Sequence, residues 1–141
     1  MTDGWFGIGG CPERDLVKTF DKVLTTYAYE FADRTGPGLR PEPVGYLWGA
    51  GHAAELPYMW PSFNNGTPIT PEFSAGDRQL SEEMIASWGA FVRTGQPRAA
   101  GQPAWPTHNA SKKVMSLRPG NASGLISDAA FSTTHKCGYW G

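Results

Sequence analysis

Eighteen glycines and twelve prolines fall among the 141 residues, well above average usage, and they limit the length of any element between them. Apolar clusters recur between the breaks. The chain therefore reads as short elements joined by long, shaped loops rather than as a disordered segment. Seven Phe, six Trp and five Tyr supply large apolar side chains for a core. The length suits one ordinary domain. With no internal repeat and no dividing linker, the expectation is a single segment over residues 1–141.

Charge narrows the function classes. The formal net charge is −1 and the longest basic run is Lys112-Lys113, so binding to nucleic acid or an anionic membrane surface has no electrostatic footprint. No apolar run approaches the ~18 residues of a membrane span. The opening MTDGWFGIGGCPE has neither the basic region nor the apolar core of a signal peptide.

Pro12, Glu13 and Asp15 open a helix, since proline fits the first turn and acids suit the positive end of the dipole. That helix ends before Thr25. TTYAYEF, 25–31, alternates and predicts a strand with Tyr27, Tyr29 and Phe31 on one face. Residues 32–45 and 61–76 read as long loops, uncommon in compact domains unless functional. The clearest helix is predicted over 82–94. Ser81 would be its cap, Leu80 and Ile85 its hydrophobic staple, and Gly95 its stop. Met84, Ile85, Trp88, Phe91 and Val92 would form its apolar stripe. KVMSL, 113–117, predicts a short strand, and the tail from Ser127 to Trp140 a short helix. The fold class read from these elements is α/β.

The chemistry concentrates in GAGHAAELPYMW, 49–60. His52 titrates near physiological pH and can take a proton from a weak nucleophile. Gly49 and Gly51 allow a tight turn and close approach of a substrate. From the residues alone, His52 is either a catalytic base or a surface or capping histidine. Glu55, three residues on, is a second ligand at best, and a metal needs more. His108 and His135 supply no matching set, so no metal is expected. No serine fits a nucleophile elbow: Ser74 follows Glu72 where G-x-S-x-G requires glycine, and reads as a loop residue. Cys11 and Cys137 are either two idle thiols or one long-range disulfide.

Taken in order, these landmarks resemble the C-terminal part of the type B carboxylesterases, the α/β-hydrolases that include the cholinesterases. Cys11-Pro12, the strand TTYAYEF, the loop GAGHAAELPYM, the helix LSEEMIASWGAFVRTGQP, Trp105-Pro106, Met115-Ser116-Leu117 and the ending HKCGYW carry the likeness over nearly the whole chain. The resemblance implies part of an α/β-hydrolase fold: a core strand, a catalytic-histidine loop, a late helix and a short edge strand. It implies that His52 is the general base of a serine esterase acting on small carboxylic esters without a cofactor. It makes Glu55 a support for that loop and places Trp48 and Gly51 beside the base, against substrate. It pairs Cys11 with Cys137 in a disulfide, which an oxidising compartment would be needed to form.

In the family pattern the nucleophile elbow, the oxyanion loop and the triad acid all precede Cys11. Asp3 and Glu13 are too close to the beginning to match the acid. The resemblance thus implies a histidine-bearing piece whose partner is the N-terminal part of the hydrolase domain, inactive by itself and exposing apolar surface and a sheet edge. The alternative is a non-catalytic carboxylesterase-like interaction module.

Overall fold

The computed structural model describes residues 9–39, 45–46 and 48–140. Asp3 and part of the loop predicted over 32–45 lie outside them. In chain order the elements are α1 (Gly10–Phe20), β1 (Ala28–Phe31), α2 (Leu56–Met59), a 3-10 turn (Thr70–Glu72), α3 (Ala75–Thr94), α4 (His108–Ser111), β2 (Lys113–Leu117), β3 (Gly124–Ser127), α5 (Asp128–Thr134) and α6 (Cys137–Trp140). They group into two compact units. The first comprises Met1–Glu30, Trp105–Ser116 and Leu125–Gly141; the second comprises Phe31–Ala104 and Leu117–Gly124.

The first unit holds most of a three-stranded sheet ordered β1-β2-β3. The backbone bonds His108 N to Thr26 O and Ala32 N to Leu117 O rise together in number, so β1 and β2 are parallel. Asp128 N donates to Lys112 O, and the intervening residues turn back, so β2 and β3 form a hairpin. β2 matches its predicted bounds; β3 carried too little alternation in GLIS to be seen in advance. β1 is shorter than predicted. The Thr26 hydroxyl donates to the Asp21 carboxylate and the Thr26 carbonyl accepts from His108, which holds this stretch outside the ladder.

The predicted face of β1 is reversed in part. Tyr29 is exposed and meets Trp105, whereas Glu30 lies inside. Glu30 is tolerated there because Ser116 Oγ donates to one carboxylate oxygen at 2.5 Å and His135 Nε2 lies 2.9 Å from the other. The apolar core of this unit is Cys11, Val114, Phe131 and Cys137, with Ala28 and Ile126 packed against it. Cys11 and Cys137 are joined in a disulfide with Cα atoms 5.3 Å apart. α1 is tied down further by Arg14, whose Nε and Nη2 donate to Asp128 at 2.6 and 2.7 Å. A planar two-pronged pair of this kind is the strong form of the ion pair.

In the second unit α2 packs on α3. The capping of α3 corrects the sequence reading. Its cap is Ser74, not Ser81, in a reciprocal box: Ser74 Oγ accepts from Asp77 N, and Asp77 accepts from Ser74 N. The helix therefore starts seven residues earlier. Leu80 lies inside it and is buried, while Ile85 is exposed, so there is no staple. Gly95 ends it in the left-handed conformation, as expected. Its buried face runs Asp77, Leu80, Ser81, Met84 and Ser87, at helical spacing but largely polar. Of the predicted stripe only Met84 is fully buried; Ile85, Phe91 and Val92 face outward. The polar residues won the inner face because each finds a partner: Ser81 Oγ donates to Tyr58 O at 2.6 Å and Ser87 Oγ to Gln102 Oε1 at 3.2 Å.

Asp33 organises this unit. Its side chain is buried and accepts from Thr35 N, Thr35 Oγ1 and Gly36 N, and from the Tyr58 hydroxyl at 2.6 Å. Burial alone would push the Asp33 carboxyl up, but these donors hold it below the usual carboxylate range. Burial, with the Asp33 carboxylate next to it, raises the Tyr58 phenol well above its ordinary value. Gly36 makes this possible, since a Cβ there would lie 2.5 Å from Tyr58 Oη. Tyr58 also stacks on Phe73 and meets Phe31 edge-on. Tyr58→Phe keeps the ring packing and removes one hydrogen bond from a buried carboxylate, so it should cost about 1–3 kcal/mol. Urea unfolding of the two chains, compared at one pH, checks this; an unchanged midpoint would mean that the bond contributes nothing.

Candidate active site

His52 lies in a turn over residues 52–55 that runs into α2. The turn is closed by Ala54 N to Gly51 O at 3.2 Å and Leu56 N to Ala53 O at 3.1 Å. Of the two glycines, Gly49 is left-handed, with φ +60°, as a tight turn requires. Gly51 is not, and a Cβ there would meet only Trp48 O at ordinary contact distance. Ala53 takes the left-handed conformation instead, with φ 64°. A non-glycine in that region is uncommon and marks a backbone held by its surroundings. Here the holding elements are the Tyr58 anchor and α2, which begins three residues later with Pro57 in its first turn.

The three histidines are in different states. His108 is buried, with Nδ1 2.9 Å from Asp21 Oδ2. His135 has Nε2 2.9 Å from Glu30 and its ring against Phe131. His52 is exposed, and among the described residues its imidazole has no hydrogen-bond partner. The sequence did not reveal that His108 and His135 are each bound to a carboxylate. The partners lie 87 and 105 positions away, beyond any local pattern.

Trp48 is seated in a cradle: a Cβ on Gly38, itself left-handed at φ +69°, would lie 2.4 Å from Trp48 Cγ. Its ring meets that of Tyr46. Trp48 Nε1 is buried without an acceptor among the described residues. Glu55 is half-buried and immediately precedes α2, but its side chain makes no cap bond. No group of three or more candidate ligands for a metal occurs among the described residues, and no helix there is long and apolar enough to cross a membrane.

Three aspartates, Asp21 and Asp128 in the first unit and Asp33 in the second, each hold their own unit through their charged forms. At Asp128 the hydrogen bonds from Arg14 lower the carboxyl pKa, against a smaller opposing effect of burial. At Asp21 burial raises it, but bonds from Lys112, Thr26 and His108 together win and lower it. Asp33 is lowered as well. A folded pKa below the unfolded one means that this stability is fully present above the unfolded carboxylate value of about 3.9 and is lost as pH falls through the folded values. The urea midpoint should therefore fall steeply only below about pH 4. Asp128→Asn should flatten that fall, and an unaltered profile in the variant would exclude the Arg14 pair as a source.

The fold and these residues can be set beside known proteins. A model of the carboxylesterase family matches residues 6–140. Human cocaine esterase is 30% identical over 116 residues, covering 81% of this chain and 19% of that protein. Human carboxylesterase 3 is 35% identical over 108 residues, covering 70% of this chain and 18% of its own length. An esterase from anaerobic Clostridium hathewayi, described as able to hydrolyse aliphatic aromatic polyesters, superposes with a TM-score of 0.67. It shares 20% identity over 88% of this chain and 23% of its own, which shows the fold alone. The chain thus spans about a fifth of the length of the curated relatives it matches. Its α/β architecture corresponds to part of an α/β-hydrolase domain, as the sequence led one to expect. With the match running over almost every residue and in the same order, the chain belongs to the carboxylesterase family.

Proposed function

We propose that this chain is the histidine-bearing segment of a serine carboxylesterase, with His52 as general base. The observation that carries this is the contrast among the histidines: His108 and His135 are committed to carboxylates, and His52 alone presents an uncommitted imidazole among the described residues. Family membership supplies the reaction class. In it, His52 takes the proton of a serine hydroxyl as the serine attacks an ester carbonyl. It then returns the proton to the leaving alcohol and repeats the exchange with water to release the acid. The serine, oxyanion donors and triad acid lie in the preceding part of the domain. The Ser74 hydroxyl caps α3, which supports reading it as a structural residue and not the nucleophile.

Trp48 and Gly51, close to His52 in the chain, contribute to the ester pocket, and Trp48 Nε1, without an acceptor among the described residues, is a donor for an oxygen there. Glu55 sets the turn. The preceding part packs on the apolar side chains left outside: Ile85, Phe91 and Val92 in the second unit, and Leu16, Phe20, Val23 and Leu24 in the first. The Cys11–Cys137 disulfide supports an oxidising, exported location for the parent.

The test is to read the DNA upstream of Met1 and express it in frame with this chain. The expected product carries G-x-S-x-G and a later acid, and hydrolyses p-nitrophenyl butyrate, while the 141-residue chain does not. Turnover by the short chain that survives Ser74→Ala would overturn the proposal. A glycine or asparagine in place of the serine would favour the interaction module instead.

A further inference from the structure

A cleft lies at the C-terminal end of α3, on the same unit as His52 but built from other residues. Ala90 and Arg93 on the helix face the loop of Arg98, Ala99, Pro103 and Ala104 across a cleft of about 620 Å³. That volume falls within the usual range for small-molecule pockets. The loop wall is fixed rather than free. Gln102 Nε2 donates to Glu83 Oε2 at 3.1 Å, and Gln102 Oε1 accepts from Ser87. Glu83 is buried and also accepts from Gln79, so a carboxylate behind the wall is satisfied by amides, not by the arginines. Among the described residues neither Arg93 nor Arg98 has an ion-pair partner.

The exposed Arg93 side chain lies close to Gly89. Gly89, four residues earlier, sits in the interior of a long helix, where glycine is unfavourable. A Cβ at Gly89 would lie 3.1 Å from Arg93 Nη1. The guanidinium thus lies back along the helix over the space that the missing side chain leaves.

We propose that this cleft binds a small carboxylate: one oxygen pair on Arg93 and Arg98, and a short apolar body on the alanines and Pro103. The planar fork of donors on an arginine suits a carboxylate. The negative, C-terminal end of α3 and the buried Glu83 oppose a dianion such as phosphate about twice as strongly as a singly charged carboxylate, which the two arginines can outweigh. The site owes nothing to His52, so it stands or falls independently of the esterase reading.

The experiment is a titration of the 15N-labelled chain with hexanoate, followed by amide and arginine Nε shifts. Hexylamine and inorganic phosphate serve as comparison probes. The expected result is saturable binding with Kd on the order of 1–10 mM, as few-atom ligands allow, localised to residues 89–104. Arg93→Gln and Arg98→Gln should each weaken it about tenfold, as loss of a charge-assisted contact does. Gly89→Ala keeps both charges and favours the helix, so it should leave Tm unchanged or raised while weakening binding a few-fold. Absence of saturable shifts, binding indifferent to both arginine changes, or phosphate or hexylamine binding as tightly as hexanoate would each overturn the proposal.

Discussion

Replacing His52 with alanine in the protein expressed together with its upstream coding sequence should lower kcat for p-nitrophenyl butyrate by about 10⁴-fold or more. The argument rests on what an imidazole contributes to acyl transfer. A serine hydroxyl is a weak nucleophile at neutral pH, and without a base its proton has nowhere to go in the transition state. The oxyanion donors and the binding pocket would still act, so residual hydrolysis above buffer is expected rather than none. KM should change little, because a general base acts on the reacting atoms and not on the bulk of the substrate. His108→Ala is the control. That imidazole is bound to Asp21, so its loss should lower stability rather than kcat in the fraction that remains folded. A His52→Ala enzyme within tenfold of the parent would show that the base lies elsewhere.

The second large effect is on stability. Reducing the Cys11–Cys137 disulfide, or replacing both cysteines with serine, should cost about 5 kcal/mol in the chain-entropy account. The two residues are 126 positions apart, so the bond closes almost the entire chain into one loop and removes much of the freedom of the unfolded state. The folded state loses too. Both sulfurs sit in the small cluster with Val114 and Phe131, and serine hydroxyls there would be buried. Three separated stretches of chain make up this unit, and the disulfide ties the first to the last. A domain normally holds only about 5–15 kcal/mol in reserve. The first unit should therefore unfold, or nearly so, in reductant. Urea titrations with and without dithiothreitol, read at Trp105 and Trp140 against probes in the second unit, measure it. A midpoint unmoved by reductant would mean that packing, and not the crosslink, holds α1 in place.

Several features were readable without coordinates because they depend only on neighbours in the chain. Gly95 as the stop of α3, Pro12 in the first turn of α1 and the bounds of β2 follow from local backbone preferences, which the immediate sequence sets. The order of landmarks was enough to suggest the family, and with it an α/β-hydrolase fragment and the pairing of the cysteines. Alternation in TTYAYEF was legible as a strand.

Other features depend on residues far apart in the chain, and tertiary structure alone decided them. Ser81 looked like a cap by composition, but Ser74 and Asp77 could bond reciprocally, and Ser81 went inside to Tyr58. Glu30 took the inner face of β1 because Ser116 and His135 arrive from 86 and 105 residues away. The polar face of α3 is buried because Tyr58 and Gln102 meet its hydroxyls, leaving Phe91 and Val92 outside. A helical pattern reports which residues share a face. Which face is buried is fixed by the partners waiting there, because a buried polar group is tolerated only where its hydrogen bonds are met. The same physics sorts the histidines. Sequence determined that three were present and set one in a glycine-rich stretch; the folded chain decided which two would be bound to carboxylates and left the third exposed.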